Sequence, residues 1–187
     1  MNLEKKIFQQ MRLKLSEEIE RRWVIDPTDM VWPDKAALPV DKRRITQVYL
    51  EAHPPIVSRV RSSNLLLGNQ MAHSEVTHMI NGGTADGKPL EIVRPITHDE
   101  FTNLVMEFRD KDRTVIQKTR STFSWGSRVW HYEEFSFGLC VLKSTLPESG
   151  DLVHTPPWLK VIREITEVPG WSNYEMSHKD WEQPDVV

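Results

Sequence analysis

The stretch Glu18-Ile19-Glu20-Arg21-Arg22-Trp23-Val24-Ile25 decides the fold. In a strand, successive side chains point to opposite faces. Glu18, Glu20, Arg22 and Val24 then share one face, and Ile19, Arg21, Trp23 and Ile25 the other. Alone, such a charged face reads as a solvated outer surface. The pattern returns, however, in Arg59 and Arg61, in Lys118 and Arg120, and in His131 and Glu133. Several such faces in succession point to a polar interior. In a barrel they would line a tunnel with cations and carboxylates. Paired basic residues there would bind phosphate oxygens, arginine bidentately. Carboxylates would hold Mg²⁺ or Mn²⁺, hard cations that prefer oxygen.

The rest of the chain supplies more strands and a few helices. Arg44 to Leu50 and Ile56 to Arg61 read as strands around a His53-Pro54-Pro55 turn. A loop with Asn64, Gly68 and Asn69 follows. Glu75 to Ile80 and Leu90 to Arg94 flank a glycine-rich connection that contains Asp86-Gly87, a hairpin pair, with Gly82-Gly83 a plain turn. Thr114 to Phe123, Val129 to Phe135, Leu139 to Leu146 and Val161 to Thr166 complete the strands, with a turn at Trp125-Gly126-Ser127. Thr97 to Asp110 is the clearest helix, opened by the Thr97/Glu100 capping box. Leu3, Ile7, Phe8, Met11 and Leu15 make an amphipathic helical stripe over residues 1–15, suited to packing on the domain or to a dimer interface. Thr155-Pro156-Pro157-Trp158 reads as an N-cap and the start of a short helix. The expectation is an α+β domain in which an antiparallel barrel removes exposed strand edges.

Composition bounds the function. The 187 residues suit one domain, with 24 Lys+Arg against 27 Asp+Glu and a net charge of −3. That excludes a molecule-wide basic field for nucleic acid, though not a local one. Cys140 is the only cysteine, so there is no internal disulfide and no cysteine-built zinc site. His73 and His78 lack metal-binding spacing. Neither a Gly-x-Ser-x-Gly motif nor a P-loop occurs. No apolar run approaches the roughly 20 residues of a spanning helix, and no signal-peptide core follows the first residues. The expectation is a cytoplasmic protein with no membrane partner. Of the seven tryptophans, Trp23, Trp130 and Trp158 read as packing; Trp32, Trp125, Trp171 and Trp181 lie nearer loops, where one could stack on a nucleobase.

In order along the chain, these residues resemble the CYTH domains, the triphosphate tunnel metalloenzymes. Glu18-Ile19-Glu20-Arg21-Arg22-Trp23 is similar to the family's opening Glu-x-Glu-x-Lys strand. Ile45 to Leu50 resembles its Gln-Gly-Tyr-Leu strand, and Arg59-Val60-Arg61 its Arg-x-Arg strand. Glu91-Ile92-Val93-Arg94-Pro95-Ile96 is similar to Glu-Ile-Glu-Arg-Pro-Ile. Ile116 to Arg120 resembles the Lys-Thr-Arg strand, and Trp130 to Phe135 the Trp-Glu-Val-Asp-x-Phe strand. Glu164-Ile165-Thr166 and Ser172-Asn173-Tyr174 resemble the closing segments. The resemblance implies an eight-stranded antiparallel β-barrel tunnel over residues 16–174, with a C-terminal tail over 175–187. It implies a ligand bearing a triphosphate, whether tripolyphosphate, a nucleotide or an RNA 5′ end, and chemistry assisted by Mg²⁺ or Mn²⁺. It assigns phosphate binding to Arg22, Arg59, Arg61, Lys118 and Arg120, to which this chain's departure at Lys143 adds a sixth candidate cation, and metal binding to Glu18, Glu20, Glu91, Glu133 and Glu164.

The departures matter as much. Arg22 stands where the family has lysine, Met79 where a strand lysine is usual, Val93 where the second Glu of a pair belongs, and His131 where a Glu does. Lys143 and Thr145 occupy the positions of a Glu-x-Glu pair. A lysine there sets a fixed cation near a metal's place, and at an effective dielectric near 20 it opposes Mg²⁺ by several kcal/mol. It could instead hold phosphate directly. The phosphate-gripping residues survive better than the metal-holding ones. That favours binding of a phosphorylated ligand with hydrolysis weak or lost. The alternatives are an active Mg²⁺- or Mn²⁺-dependent triphosphatase, and an RNA-binding module.

Overall fold

The structure, a computed structural model, describes residues 12–15, 19–28, 30–32, 39, 41–68, 70–85, 88–146 and 153–184. Its strands are β1 (Arg12–Leu15), β2 (Ile19–Asp26), β3 (Asp41–Leu50), β4 (Val57–Leu67), β5 (Gln70–Ala85), β6 (Lys88–Pro95), β7 (Ile116–Trp125), β8 (Arg128–Phe135), β9 (Cys140–Leu146) and β10 (Lys160–Glu164). Helix α1 (His98–Phe108) follows β6, and α2 (Asn173–Met176) follows β10. The strands form one sheet in the order β1-β6-β5-β4-β3-β7-β8-β9-β2-β10. Every pairing is antiparallel. The α+β class and the antiparallel sheet are as expected.

Closure and strand count are not. Among the described residues there are ten strands rather than eight, and no pairing joins β1 to β10. The reason lies at the two edges. Residues 12–15, the end of the stretch read as helix, pair instead with β6 as a four-residue strand. The five-residue β10 caps the other side on β2. Short edge strands offer few unpaired backbone groups and do not need sealing to avoid edge-to-edge association. The earlier part of that helix, residues 1–11, lies outside the described residues, as do Asp86 and Gly87. The sheet still curls far round: Glu91 on β6 and Glu20 on β2, each second from an edge, line one cavity.

Local chemistry explains the connections. Gly126 (φ 56°) and Ser127 (φ 60°) both take the left-handed conformation between the paired Trp125 and Arg128. That is the type I′ geometry whose twist matches a hairpin. The region around Asn64 is strand rather than loop, since β4 and β5 pair as far as Leu67 and Gln70. Gly82-Gly83 is not a turn either but a bulge within β5, where the register shifts between Asn81 and Thr84. Thr97 accepts from the Glu100 backbone N–H at 3.1 Å, but the Glu100 carboxylate pairs with Arg94, so the box is half made. The box at Ser172/Glu175 is complete. The helix expected at Thr155 is a turn, with Leu159 N–H donating to Pro156 O at 3.0 Å.

Because the concave face is charged, the apolar cores lie elsewhere. An aromatic core of Trp23, Phe123, Trp130, Tyr132, Leu142 and Leu159 covers the convex face, with Trp32, Trp125 and Trp158 packed on it. A second core closes one end of the sheet around Tyr49, Ile116, Phe135, Ile165, Trp171 and Met176. A third lies under α1. Residues 175–184 pack here rather than trailing as a tail: Met176 and Ser177 are buried, and Trp181 Nε1–H donates to Gly170 O at 2.8 Å. Among the described residues no helix is long and apolar enough to cross a membrane.

Candidate functional site

The concave face encloses a cavity of about 1100 Å³. Alternation along the strands brings its walls together. β2 gives Glu20 and Arg22, β4 gives Arg59 and Arg61, β7 gives Lys118 and Arg120, and β9 gives Lys143. All six cations expected to bind phosphate thus line one space. Two substituted positions, Met79 and Val93, line it as well and face each other in register. Gln47, Tyr49, Asn81, Ser172, Asn173 and Tyr174 complete much of the wall.

The five expected metal ligands separate. Glu20 and Glu91 line the cavity. Glu133 lies just beneath it, fully buried. Glu18 is outside the described residues. Glu164 faces the other way, where Arg21 Nε donates to its Oε1 at 2.7 Å. The cause is a register shift in β10 between Val161 and Arg163, which sets Glu164 opposite the outward-facing Trp23. One extra residue reverses which side chains face inward.

Glu133 organises the cationic wall. Lys118 Nζ donates to its Oε2 at 2.7 Å, and Arg120 Nε donates to its Oε1 at 2.8 Å. Lys143 Nζ sits 3.6 Å from the same Oε2 and donates to Glu20 Oε1 at 3.1 Å. Burial alone would raise the Glu133 carboxyl, yet Lys118, Lys143 and Arg120 hold it well below the usual carboxylate range. Glu20 is likewise held low, Lys143 outweighing burial. Burial, with Lys143 and Arg120 adding their repulsion, pulls Lys118 down to about 7.

The arginines opposite are differently placed. Arg59 Nη1 donates to Gln47 Oε1 at 2.9 Å, and Gln47 Nε2 in turn donates to the Tyr49 hydroxyl at 2.7 Å. Among the described residues neither Arg59 nor Arg61 forms an ion pair with a carboxylate. The Arg61 Nε is buried without a hydrogen-bond partner. Burial first, then Arg59 and Arg120 nearby, pull its guanidinium down to about 10. A buried donor left unsatisfied costs about 1–3 kcal/mol, more when charged. Arg61 therefore sets in the cavity wall a positive charge that no carboxylate pairs among the described residues.

The described residues do not fit a divalent ion. Such an ion needs several oxygen ligands at one point. Glu20 and Glu133 instead converge on the Lys143 ammonium, both oxygens of Glu133 are engaged by cations, and Glu91 comes from the far wall beside Arg61. Among the described residues no three His, Cys, Asp or Glu side chains form a metal-binding group. His131, in place of a glutamate, is half-buried within hydrogen-bond reach of Thr122 Oγ1 at 3.0 Å. None of the tryptophans lines the cavity, so base stacking by Trp32, Trp125, Trp171 or Trp181 has no place at this site. Sequence reasoning did not single out Gln47, which shares the inward face of β3 with Ile45 and Tyr49. Its signals are an amide between two apolar side chains on that face and its place in the segment that resembles Gln-Gly-Tyr-Leu.

No protein-family model and no curated protein matches the chain. Solved structures do. A crystal structure of the inorganic triphosphatase NE1496 superposes with a TM-score of 0.57 at 18% identity, covering 91% of this chain and 98% of that one. A conserved hypothetical protein from Pyrococcus furiosus gives 0.49 at 16%, over 71% and 81%. A putative adenylate cyclase from Vibrio parahaemolyticus gives 0.45 at 12%, over 72% and 78%. The chain has a CYTH-like fold.

Proposed function

We propose that the cavity binds a polyphosphate-bearing ligand, such as tripolyphosphate, a nucleotide or an RNA 5′ end, and that hydrolysis there is weak or lost. Arg61 carries the reading. It is a half-buried guanidinium whose Nε–H is buried and unsatisfied, beside Arg59 and Arg120. Six cations line this space, and of the three carboxylates at or under its wall Glu20 and Glu133 are already engaged by ammonium groups. Phosphate oxygens are acceptors that match guanidinium forks and ammonium donors. Weak hydrolysis follows from the same pairing: a carboxylate held by a lysine is poorly disposed to orient an attacking water. The fold likeness to a triphosphatase agrees with a phosphate ligand and leaves turnover open.

The test is calorimetric titration of the purified chain with tripolyphosphate, ATP and a 5′-triphosphorylated RNA, while free phosphate is measured. Binding that Arg61→Ala weakens at least tenfold, with little phosphate release, is the expected result. Absence of binding to all three overturns the reading. Turnover at ordinary enzyme rates, on the order of 1–10³ s⁻¹, abolished by Glu20→Ala, overturns its second half.

A further inference from the structure

Resting on that phosphate reading, we infer that Lys143 is a resident cation standing in for a divalent ion, so that the cavity takes the metal-free polyanion and Mg²⁺ competes for the ligand instead of joining it. Lys143 is in register with Arg22 on β2 and His131 on β8, in the middle of the cationic wall. Its side chain is 10% exposed. Its Nζ lies 3.1 Å from Glu20 and 3.6 Å from Glu133, so a cation already sits between those two carboxylates. The Glu133 oxygens are further engaged by Lys118 and Arg120. A divalent ion could enter only by displacing an ammonium from a buried carboxylate, against the repulsion of its neighbours. An ammonium has three donors and no acceptor. With one donor on Glu20, Lys143 keeps others for a phosphate oxygen, the contact a metal would otherwise make. A metal-complexed triphosphate also carries less negative charge, so the cationic wall attracts it less than the free anion.

The experiment titrates tripolyphosphate into the full chain in EDTA and again in excess Mg²⁺, and follows free Mn²⁺ by its EPR signal without phosphate. For the wild type, binding in EDTA should be at least tenfold tighter than in Mg²⁺, and Mn²⁺ should stay free. Lys143→Glu adds a carboxylate beside Glu20 and Glu133. It should retain Mn²⁺ and require Mg²⁺ for tripolyphosphate. Lys143→Met, which removes the cation without a new charge, should lose at least tenfold in EDTA while circular dichroism shows it folded. This second variant keeps the test decisive if the glutamate variant does not fold. Wild-type binding that needs Mg²⁺, or wild-type capture of Mn²⁺, overturns the inference and leaves the phosphate reading standing. No binding of tripolyphosphate, ATP or a 5′-triphosphorylated RNA in either medium overturns the phosphate reading itself.

Discussion

Glu133 has no exposed surface, and three cations depend on it. Replacing it with glutamine leaves those cations packed together without a countercharge. Breaking a buried ion pair by removing one partner costs about 3–5 kcal/mol. Glu133→Gln should therefore lower stability in urea denaturation by an amount of that order. Glu164→Gln, acting on a partly exposed pair with Arg21, should cost about 1 kcal/mol or less. Lys118 gives the pH dependence. Burial, then Lys143 and Arg120, hold it near 7 in the empty cavity. A polyanion beside it favours the charged form and raises that value. Affinity is then fully present below about pH 7 and declines as pH rises toward the bound-state value. Binding at pH 8 should take up protons, seen as a dependence of the calorimetric heat on buffer ionisation enthalpy, and Lys118→Met should remove that uptake.

Single strands were legible where alternation ran uninterrupted. Period 2 placed Arg59 with Arg61 on one face of β4 and Lys118 with Arg120 on one face of β7, the resemblance turned those faces inward, and both pairs line the cavity. Lys143 was placed by its match to the family's Glu-x-Glu position, and it lines the cavity because β9 pairs with β2 and β8 without a register shift. Glu164, expected among the metal ligands, faces outward because the shift in β10 reverses the face without a glycine or proline to mark it. Gly82 was visible as a glycine but not as a bulge. What fixes its role is distant in sequence: a Cβ there would lie 2.8 Å from the Ile56 Cα, and its φ is +146°. Both contact and conformation exclude a side chain. Gly82→Ala should lower stability by more than about 1 kcal/mol, and the melting midpoint should show it whether or not ligand is present. The β1 edge was illegible for another reason. Residues 12–15 pair with β6, and tertiary pairing of this kind overrides a helical hydrophobic period.

At the scale of the whole molecule, the net charge of −3 averages two regions of opposite sign. Six cations line the cavity against the carboxylates Glu20, Glu91 and the buried Glu133, so the acidic excess lies outside it. Such a molecule should discriminate sharply between a compact polyanion and a long one. A 5′-hydroxyl RNA should bind negligibly at physiological salt, whereas tripolyphosphate should stabilise the fold. At a hundred times its Kd a ligand contributes about 2.7 kcal/mol. For a chain of this size that raises Tm by roughly 5–10 °C. Arg61 links this gain to a cost. In the empty protein its guanidinium is desolvated, its Nε unsatisfied, and Arg59 and Arg120 repel it. Arg61→Met keeps the side chain's bulk and removes the charge. It should raise the Tm of the empty protein while abolishing most of the tripolyphosphate shift, a trade between stability and binding expected of a functional site. If the variant instead melts lower and still responds to tripolyphosphate, Arg61 is a structural residue, and the anion site belongs to the Lys118, Arg120 and Lys143 wall alone.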